Sequence, residues 1–358
     1  MTVQASHSFS FKFADQPCRL EIVTNEPAAS AIFTRYLAMF PHFAGNPGLA
    51  PRYTVRIRDV SGLASTLQPL DTVFPALRTY LTEHYPGVDP ALLARICSPA
   101  FIPDEAARNV VEATLSRPAE RGVSLQKDFL VCSNQAAGLV EAFADIRSSM
   151  QEAWPFHALN FFKIFFFAND TVRLHGSGAT AGDRCVLLLA NTGGGKSTVK
   201  DLFLKATRVP VPFTDDSILA VRGPDGFRLY QDPVEFMRWC LMPEAELPRH
   251  AIPAPRAAIR TAPAVYYLSK GETTRWHACE PEEIFTRANQ EAFFQRGFLT
   301  QRFIPPPGAD ERLEAYFRNT RALLAGCRCH LAEIRYHDDY GPLFQHFSRD
   351  LGLPEGTA

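Results

Sequence analysis

Residues 186–203 read "VLLLANTGGGKSTVKDLF". A short apolar run meets three glycines, then Lys196-Ser197-Thr198, then a segment with Val199, Leu202, Phe203 and Ala206 at i, i+3, i+4 and i+7. The run Val186–Leu189 suits a parallel strand covered on both faces. The spacing after the glycines predicts a helix with those four residues on one buried face. Strand, glycine loop and helix in this order is the context of the pattern GxxxxGK[ST], the P-loop, with Ala190 standing at its first glycine position.

The residue types have a chemical reason. Phosphate oxygens must come close to backbone N–H groups, and a Cβ would block some of those approaches. The start of a helix adds unsatisfied donors and a partial positive charge. On this reading Asn191, Thr192, Gly193, Gly194, Gly195, Lys196, Ser197 and Thr198 bind the phosphates of ATP. Lys196 reaches the β- and γ-phosphates, and Ser197 offers its hydroxyl to Mg²⁺. The competing reading is a glycine-rich turn that only joins a strand to a helix. The combination of apolar run, triple glycine, Lys-Ser-Thr and amphipathic helix argues against it.

A P-loop also needs a carboxylate at a neighbouring strand end for the metal or its water. "VPVPFTDDSILAV" supplies Asp215 and Asp216, nineteen and twenty residues after Lys196. One acid can serve the metal, together with Ser197, while the other takes the proton of an attacking hydroxyl. Pro210 and Pro212 confine any strand there to a sheet edge, or to a start at Phe213. "SILAVR-GPDG-FRLYQD" then reads as a hairpin turning at Pro224-Asp225-Gly226.

The order of P-loop, double Asp and hairpin resembles the HPr kinase/phosphorylase and phosphoenolpyruvate carboxykinase group of kinases. Leu174-His175-Gly176-Ser177-Gly178-Ala179 extends the resemblance. Carboxykinases carry a similar Met-His-Cys-Ser-Ala stretch, and HPr-kinase-related proteins of peptide-modification clusters a Leu-His-Ala-Ser-type stretch. His175 lies about twenty residues before Lys196, as in that group. The likeness covers about residues 135–235 well. It implies Mg-ATP-dependent phosphoryl transfer to a hydroxyl of a peptide, a protein or a small molecule. Asp215, Asp216, Lys196 and His175 would be catalytic, with His175 near the γ-phosphate. The segment "QDPVEFMRWCLMPEAELPRH" does not match the signature that serves HPr binding and the phosphorylase reaction, so neither is implied. A nucleotide-binding switch without an acceptor is the alternative. A carboxykinase would need a second cationic pocket beside the metal. Kinases of this group often self-associate, and oligomeric state stays open.

The fold class that follows is α/β, with a P-loop kinase domain on a mixed sheet at residues 131–358. A smaller α+β domain at residues 1–130 would precede it and could present the acceptor. Outward from the loop, "SFSFKF" and "CRLEIVT" alternate as a hairpin, "AASAIFTRYLAMF" (28–40) has helical spacing, and "YTVRIRDV" (53–60) is a strand. A helix covers about 74–96. "NVVEATL" and "VSLQKDFLVC" read as strands flanking a turn at 117–122. Leu139, Phe143, Ile146, Met150 and Trp154 mark one face of a further helix, and "WPFHALNFFKIFFFA" (154–168) reads as a buried helix too short for a bilayer.

The whole chain has 358 residues, 46% hydrophobic and 21% charged, with a net charge of −1. That length suits two domains of roughly 150 residues each. The charge balance asks for neither nucleic acid nor an anionic membrane as partner. Eight scattered cysteines and a start with no apolar leader predict a cytoplasmic protein with reduced thiols. Cys327 and Cys329 read as core residues rather than metal ligands, and His337-Asp338-Asp339 as a loop leading into a helix. Arg238, Arg249, Arg256 and Arg260 read chiefly as members of a solvated, Pro-rich loop.

Overall fold

The computed structural model describes residues 5–24, 26–59, 121–126, 129–134, 138–144, 171–191, 193–247, 258–260, 263–294, 309–354 and 356. The chain divides into two compact units, Met1–Phe166 with Leu299–Arg312, and Phe167–Phe298 with Leu313–Ala358. Both are built on mixed sheets, so the fold class is α/β. Among the described residues, no helix is long and apolar enough to cross a membrane.

In the first unit β1 (Ala5–Phe13) and β2 (Gln16–Thr24) form the expected hairpin. The turn residues Ala14 and Asp15 both have positive φ, which suits the right-handed twist of paired strands. Helix α1 (Pro27–Met39) crosses over to β3 (Tyr53–Asp59), which pairs parallel to β2. Alternation decides what is buried. Phe11, Phe13, Leu20, Ile22, Val55 and Ile57 are buried, as are Phe33 and Tyr36 of α1, and Phe11 meets Phe33 edge-on at 5.9 Å.

Three further strands complete this sheet: β4 (Arg121–Gln126), β5 (Phe129–Asn134) and β6 (Leu139–Ala144), giving the order β1-β2-β3-β6-β5-β4. Two expectations are corrected here. "VSLQKDFLVC" is not one strand but spans the hairpin β4–β5. Leu139–Ala144 is not helical, because β6 pairs parallel to β3, with Val140 and Ala142 in the core. Leu139 and Phe143 four apart suit a helix. Positions four apart fall on one face of any strand as well, so periodicity over so few residues does not separate the two. The first sheet therefore continues past the boundary read near residue 130. The helices read at 74–96 and 154–168, and the strand at 109–115, lie outside the described residues.

The second unit holds the glycine loop. Its strands are β7 (Thr171–Ala181), β8 (Arg184–Ala190), β9 (Val211–Thr214), β10 (Ser217–Gly223), β11 (Gly226–Gln231), β12 (Ala264–Lys270), β13 (Arg275–Ala278) and β14 (Arg328–Ile334). They run in the order β11-β10-β7-β8-β12-β14-β13, with β9 pairing only to β7. The strands β8, β12 and β14 are parallel, and the other pairings are antiparallel. The expected β10–β11 hairpin turns through Pro224-Asp225, with Gly223 opposite Gly226. Pro212 lies within the short β9 and Pro210 just before it, so β9 is the only strand that has to accommodate a proline from this pair.

Helices cover both faces of this sheet. They are α2 (Lys196–Thr207), α4 (Pro281–Phe294), α5 (Ala309–Ala325) and α6 (Gly341–Asp350), while α3 (Pro233–Leu241) follows β11. Odd-numbered residues of the central strands (Leu187, Leu189, Val265, Tyr267, Cys329) meet Ile284, Phe285, Leu323 and Leu324 of α4 and α5. Even-numbered ones (Val186, Leu188, Ala264, Tyr266, Leu268, Ala332) meet Val199 and Phe203 of α2 and Phe344 and Phe347 of α6. That double coverage is why the strand before the loop reads as an unbroken apolar run.

The face of α2 differs from the expected one. Val199 and Phe203 are buried, but Leu202 and Ala206 are exposed, and Lys196, Lys200 and Thr207 turn inward instead. Phe347 is fully buried and meets Phe203 edge-on at 5.3 Å and Tyr266 at 4.6 Å. Truncating a phenylalanine at such a contact removes its transfer free energy and leaves a cavity. Phe347→Ala is expected to lower stability by about 3–5 kcal/mol in denaturant unfolding, the range for buried Phe→Ala.

Candidate active site

The site begins where β8 ends. Ala190 is fully buried and is absent from the residues of positive φ, so its methyl group is accommodated at the strand end. A Cβ on Gly194 would lie 2.7 Å from the Ala190 Cβ and 2.8 Å from the Asn191 carbonyl oxygen, so only glycine fits there. Gly193 and Gly195 have φ of 77° and 87°, which other residues adopt only with strain. Gly195 is the N-cap of α2, and the first intrahelical bond runs from the Val199 N–H to its carbonyl, at 2.9 Å. The N–H groups of Ser197 and Thr198 in this first turn precede that bond and face the helix start. Thr192 lies outside the described residues.

Lys196 folds back over the loop. Its Nζ donates to the Ala190 carbonyl at 2.8 Å and to the Asn191 carbonyl at 3.4 Å. The Asn191 side chain accepts from the Tyr267 hydroxyl at 2.8 Å, which anchors the loop to β12. A lysine held on loop carbonyls, glycines too tight or too left-handed for a side chain, and the positive end of a helix together make a cradle able to hold a phosphate chain. Beside it, Gly194, Gly195 and Thr198 line a cleft with Lys270, Tyr336 and Tyr340.

The acids come next to this cradle. The Ser197 hydroxyl lies 3.5 Å from the Asp215 carbonyl oxygen. The strand pairing that sets Ser217 opposite His175 carries Asp216 to the same place, and the Gly176 N–H donates to the Asp216 carbonyl at 3.0 Å. His175 Nε2 lies 3.2 Å from an Asp216 carboxylate oxygen. The structure thus brings Lys196, Ser197, Asp215, Asp216 and His175 into one region of the second unit, from β7, α2 and the β9–β10 turn.

The two acids are not equivalent. One Asp215 oxygen takes Lys200 Nζ at 2.6 Å and the other takes Arg238 at 2.7 Å, so two cations occupy this carboxylate. Burial raises its pKa, but these cations outweigh burial and hold it below the usual carboxylate range. Asp216 is half exposed, and its hydrogen bond to His175 is the main reason its pKa falls to about 2. Of the pair, Asp216 is the acid open to a ligand.

Several contributors carry no sequence signal. Lys200 lies one turn beyond Lys196 on the same helix face but reads as an ordinary surface lysine. Arg238, read chiefly as a loop residue, sits on α3 against Asp215, with its guanidinium 4.3 Å from the Trp239 ring centroid. Glu235, also on α3, is buried and organises the turn of acids. It accepts from the Asp215 N–H at 2.6 Å and the Ser217 N–H at 3.1 Å, and contacts the Thr214 hydroxyl. Asp232 caps α3, accepting from the Val234 N–H at 3.0 Å, and also takes the Ser217 hydroxyl at 2.6 Å and Arg173 at 3.2 Å. Arg249 and Arg256 lie outside the described residues, and Arg260 is exposed.

No family model matches the chain, and no curated protein matches its sequence.

Burial pushes the Glu235 pKa up to about 7. The Thr214 hydroxyl also faces the Ser217 carbonyl at 2.7 Å. Its single proton can serve only one of the two oxygens, and a proton on Glu235 supplies the other contact. An acid with a raised folded-state pKa binds more protons folded than unfolded between its two pKa values, so stability falls as pH rises through that window. The contribution of Glu235 to stability is expected to decline from about pH 4.5 to about pH 7, while the lowered pKa of the half-buried His42 acts in the opposite sense below about pH 6.5. Relative to Glu235→Gln, the wild type should therefore lose stability across this window, measured by urea unfolding of both proteins at a series of pH values.

Proposed function

We propose that the chain is an ATP-dependent kinase related to the HPr kinase/phosphorylase and phosphoenolpyruvate carboxykinase group, transferring a phosphoryl group to a hydroxyl. The observation that carries the reading is the meeting of the glycine cradle at Lys196–Ser197 with the His175–Asp216 pair, 3.2 Å apart, through the β7–β10 pairing. The fit of the residues to a P-loop supports it. Gly193–Gly195 would let the phosphates approach the backbone, and Lys196 would leave the Ala190 carbonyl to neutralise charge spreading over the transferred group. A bound Mg²⁺ would supply positive charge that offsets the charge of the phosphates. Ser197 offers it a hydroxyl.

Asp216 is then the base that takes the acceptor proton, with His175 holding its carboxylate in position. Its low pKa makes it a weak base, which a loose transition state tolerates because the phosphoryl group moves with little help from the nucleophile. Asp215 has a different part. It gathers Lys200 and Arg238 beside the phosphates and fixes the turn that presents Asp216.

A second reading rests on the same asymmetry. With Asp215 occupied by two cations, Asp216 could serve the metal alone, and the chain would bind nucleotide as a switch without an acceptor.

Transfer of label from γ-labelled ATP to peptides, proteins and small hydroxylated metabolites separates the two. Lys196→Ala is expected to abolish transfer and weaken ATP binding. Asp216→Asn should leave ATP binding in place and cut transfer by about two to four orders of magnitude. His175→Ala should lower turnover more than ATP affinity. Asp215→Asn should lower thermal stability, because the buried Lys200 loses its nearer carboxylate at 2.6 Å and keeps only Asp201 at 3.2 Å. Full turnover in Asp216→Asn would remove the base assignment. Tight nucleotide binding with no label transferred to any acceptor would favour the switch.

A further inference from the structure

Three side chains converge between β14 and α6, apart from the glycine cradle. His330 lies on β14 in register with Tyr266 of β12, and His346 and Asp350 are one turn apart on α6. One candidate ligand atom from each lies within 4.8 Å of the other two. His330 is nine-tenths buried, yet its Nδ1 has no hydrogen-bond partner. A buried ring nitrogen left this way forfeits its hydration without a replacement.

The surroundings resemble a second layer of support. The Tyr266 ring stacks on His330 with centroids 4.5 Å apart. Its hydroxyl lies 2.6 Å from His346 Nδ1 and also meets an Asp350 oxygen. Arg328 holds the other Asp350 oxygen at 2.6 Å. Partners that fix the orientation of ligating groups in this way are the usual accompaniment of metal sites. His346 is partly exposed, which leaves a path from solvent and room for a fourth ligand.

We infer that His330, His346 and Asp350 form a binding site for a divalent cation of the Zn²⁺ class, with solvent in the fourth position. Two imidazoles and one carboxylate suit such borderline ions better than Mg²⁺, which prefers a shell of oxygens. Tetrahedral ligands about 2.0–2.2 Å from zinc sit roughly 3.3 Å apart, so the side chains need to close by no more than about 1.5 Å. His330 is four residues, or about 13 Å, back from the end of β14 on the glycine-loop side. An ion there would therefore act on the scaffold, tying β14 to α6. That helix packs on the loop's own helix through Phe344 and Phe347 against Phe203. The site stands independently of the kinase reading.

The test is titration of the chelator-treated full chain, without nucleotide, with Zn²⁺ by calorimetry and with Co²⁺ by visible absorption. One equivalent of each is expected, with the intense bands of four-coordinate Co²⁺ and a higher melting temperature with Zn²⁺. His346→Gln, at a partly exposed position, should weaken binding by more than about 100-fold, and Tyr266→Phe, which keeps the ring, by about 10- to 100-fold. Failure of the wild type to take up one equivalent would overturn the site. So would unchanged uptake in His346→Gln, since the ion would then lie elsewhere. If His346→Gln does not fold, as judged by circular dichroism, unchanged affinity in Tyr266→Phe is the overturning result.

Discussion

Lys200 is almost wholly buried, and its ammonium lies 2.6 Å from one oxygen of Asp215. A buried lysine is costly unless paired, and removing one partner of such a pair strands the other charge. This ion pair therefore constrains the rotation of α2 about its axis. With Lys200 turned in, Lys196 and Ser197 one turn earlier lie on the side of the acids, and Leu202 is left outside. The glycine loop is joined to that helix without a break, so its position over the β9–β10 turn follows from the same contact. Arg238 closes the other side of Asp215, and the turn is held from both sides.

A second constraint comes from the sheet. The strand β7 is shared: its first half pairs with β10 and its second half with β8 and β9. At the change-over, a Cβ on Gly176 would fall 2.6 Å from a Leu189 methyl and 3.0 Å from the Leu188 carbonyl. Glycine there lets β7 lie close against β8, and His175, one residue earlier, comes to face Ser217 and thus Asp216. The buried Glu235 completes the turn by accepting from the backbone on both sides of Asp216. Three separate segments of chain thus fix one carboxylate, as a group that acts by position requires.

Much of the local structure is legible in the residues. The apolar run, the glycines and the helix after them lie where the spacing puts them, as do the β1–β2 and β10–β11 hairpins. Leu139–Ala144 is the instructive miss. Its apolar spacing fits a helix and a strand equally, and pairing with β3 decides for the strand. The buried face of α2 is misread for a related reason. Hydrophobic periodicity assumes that apolar side chains go inward, while here a lysine goes inward because a distant acid meets it.

The sequence alone determined what depends on neighbours along the chain: the strand, the left-handed glycines, the start of α2 and the turn at Pro224-Asp225, each set by steric limits on a few consecutive residues. It also supplied the candidates Lys196, Ser197, Asp215, Asp216 and His175. Only the tertiary structure decided how the two aspartates differ, because Lys200, Arg238, Glu235 and His175 reach them from α2, α3 and β7. Burial and charge pairing are properties of space rather than of spacing. They engaged Asp215 with two cations and left Asp216 open beside the cradle.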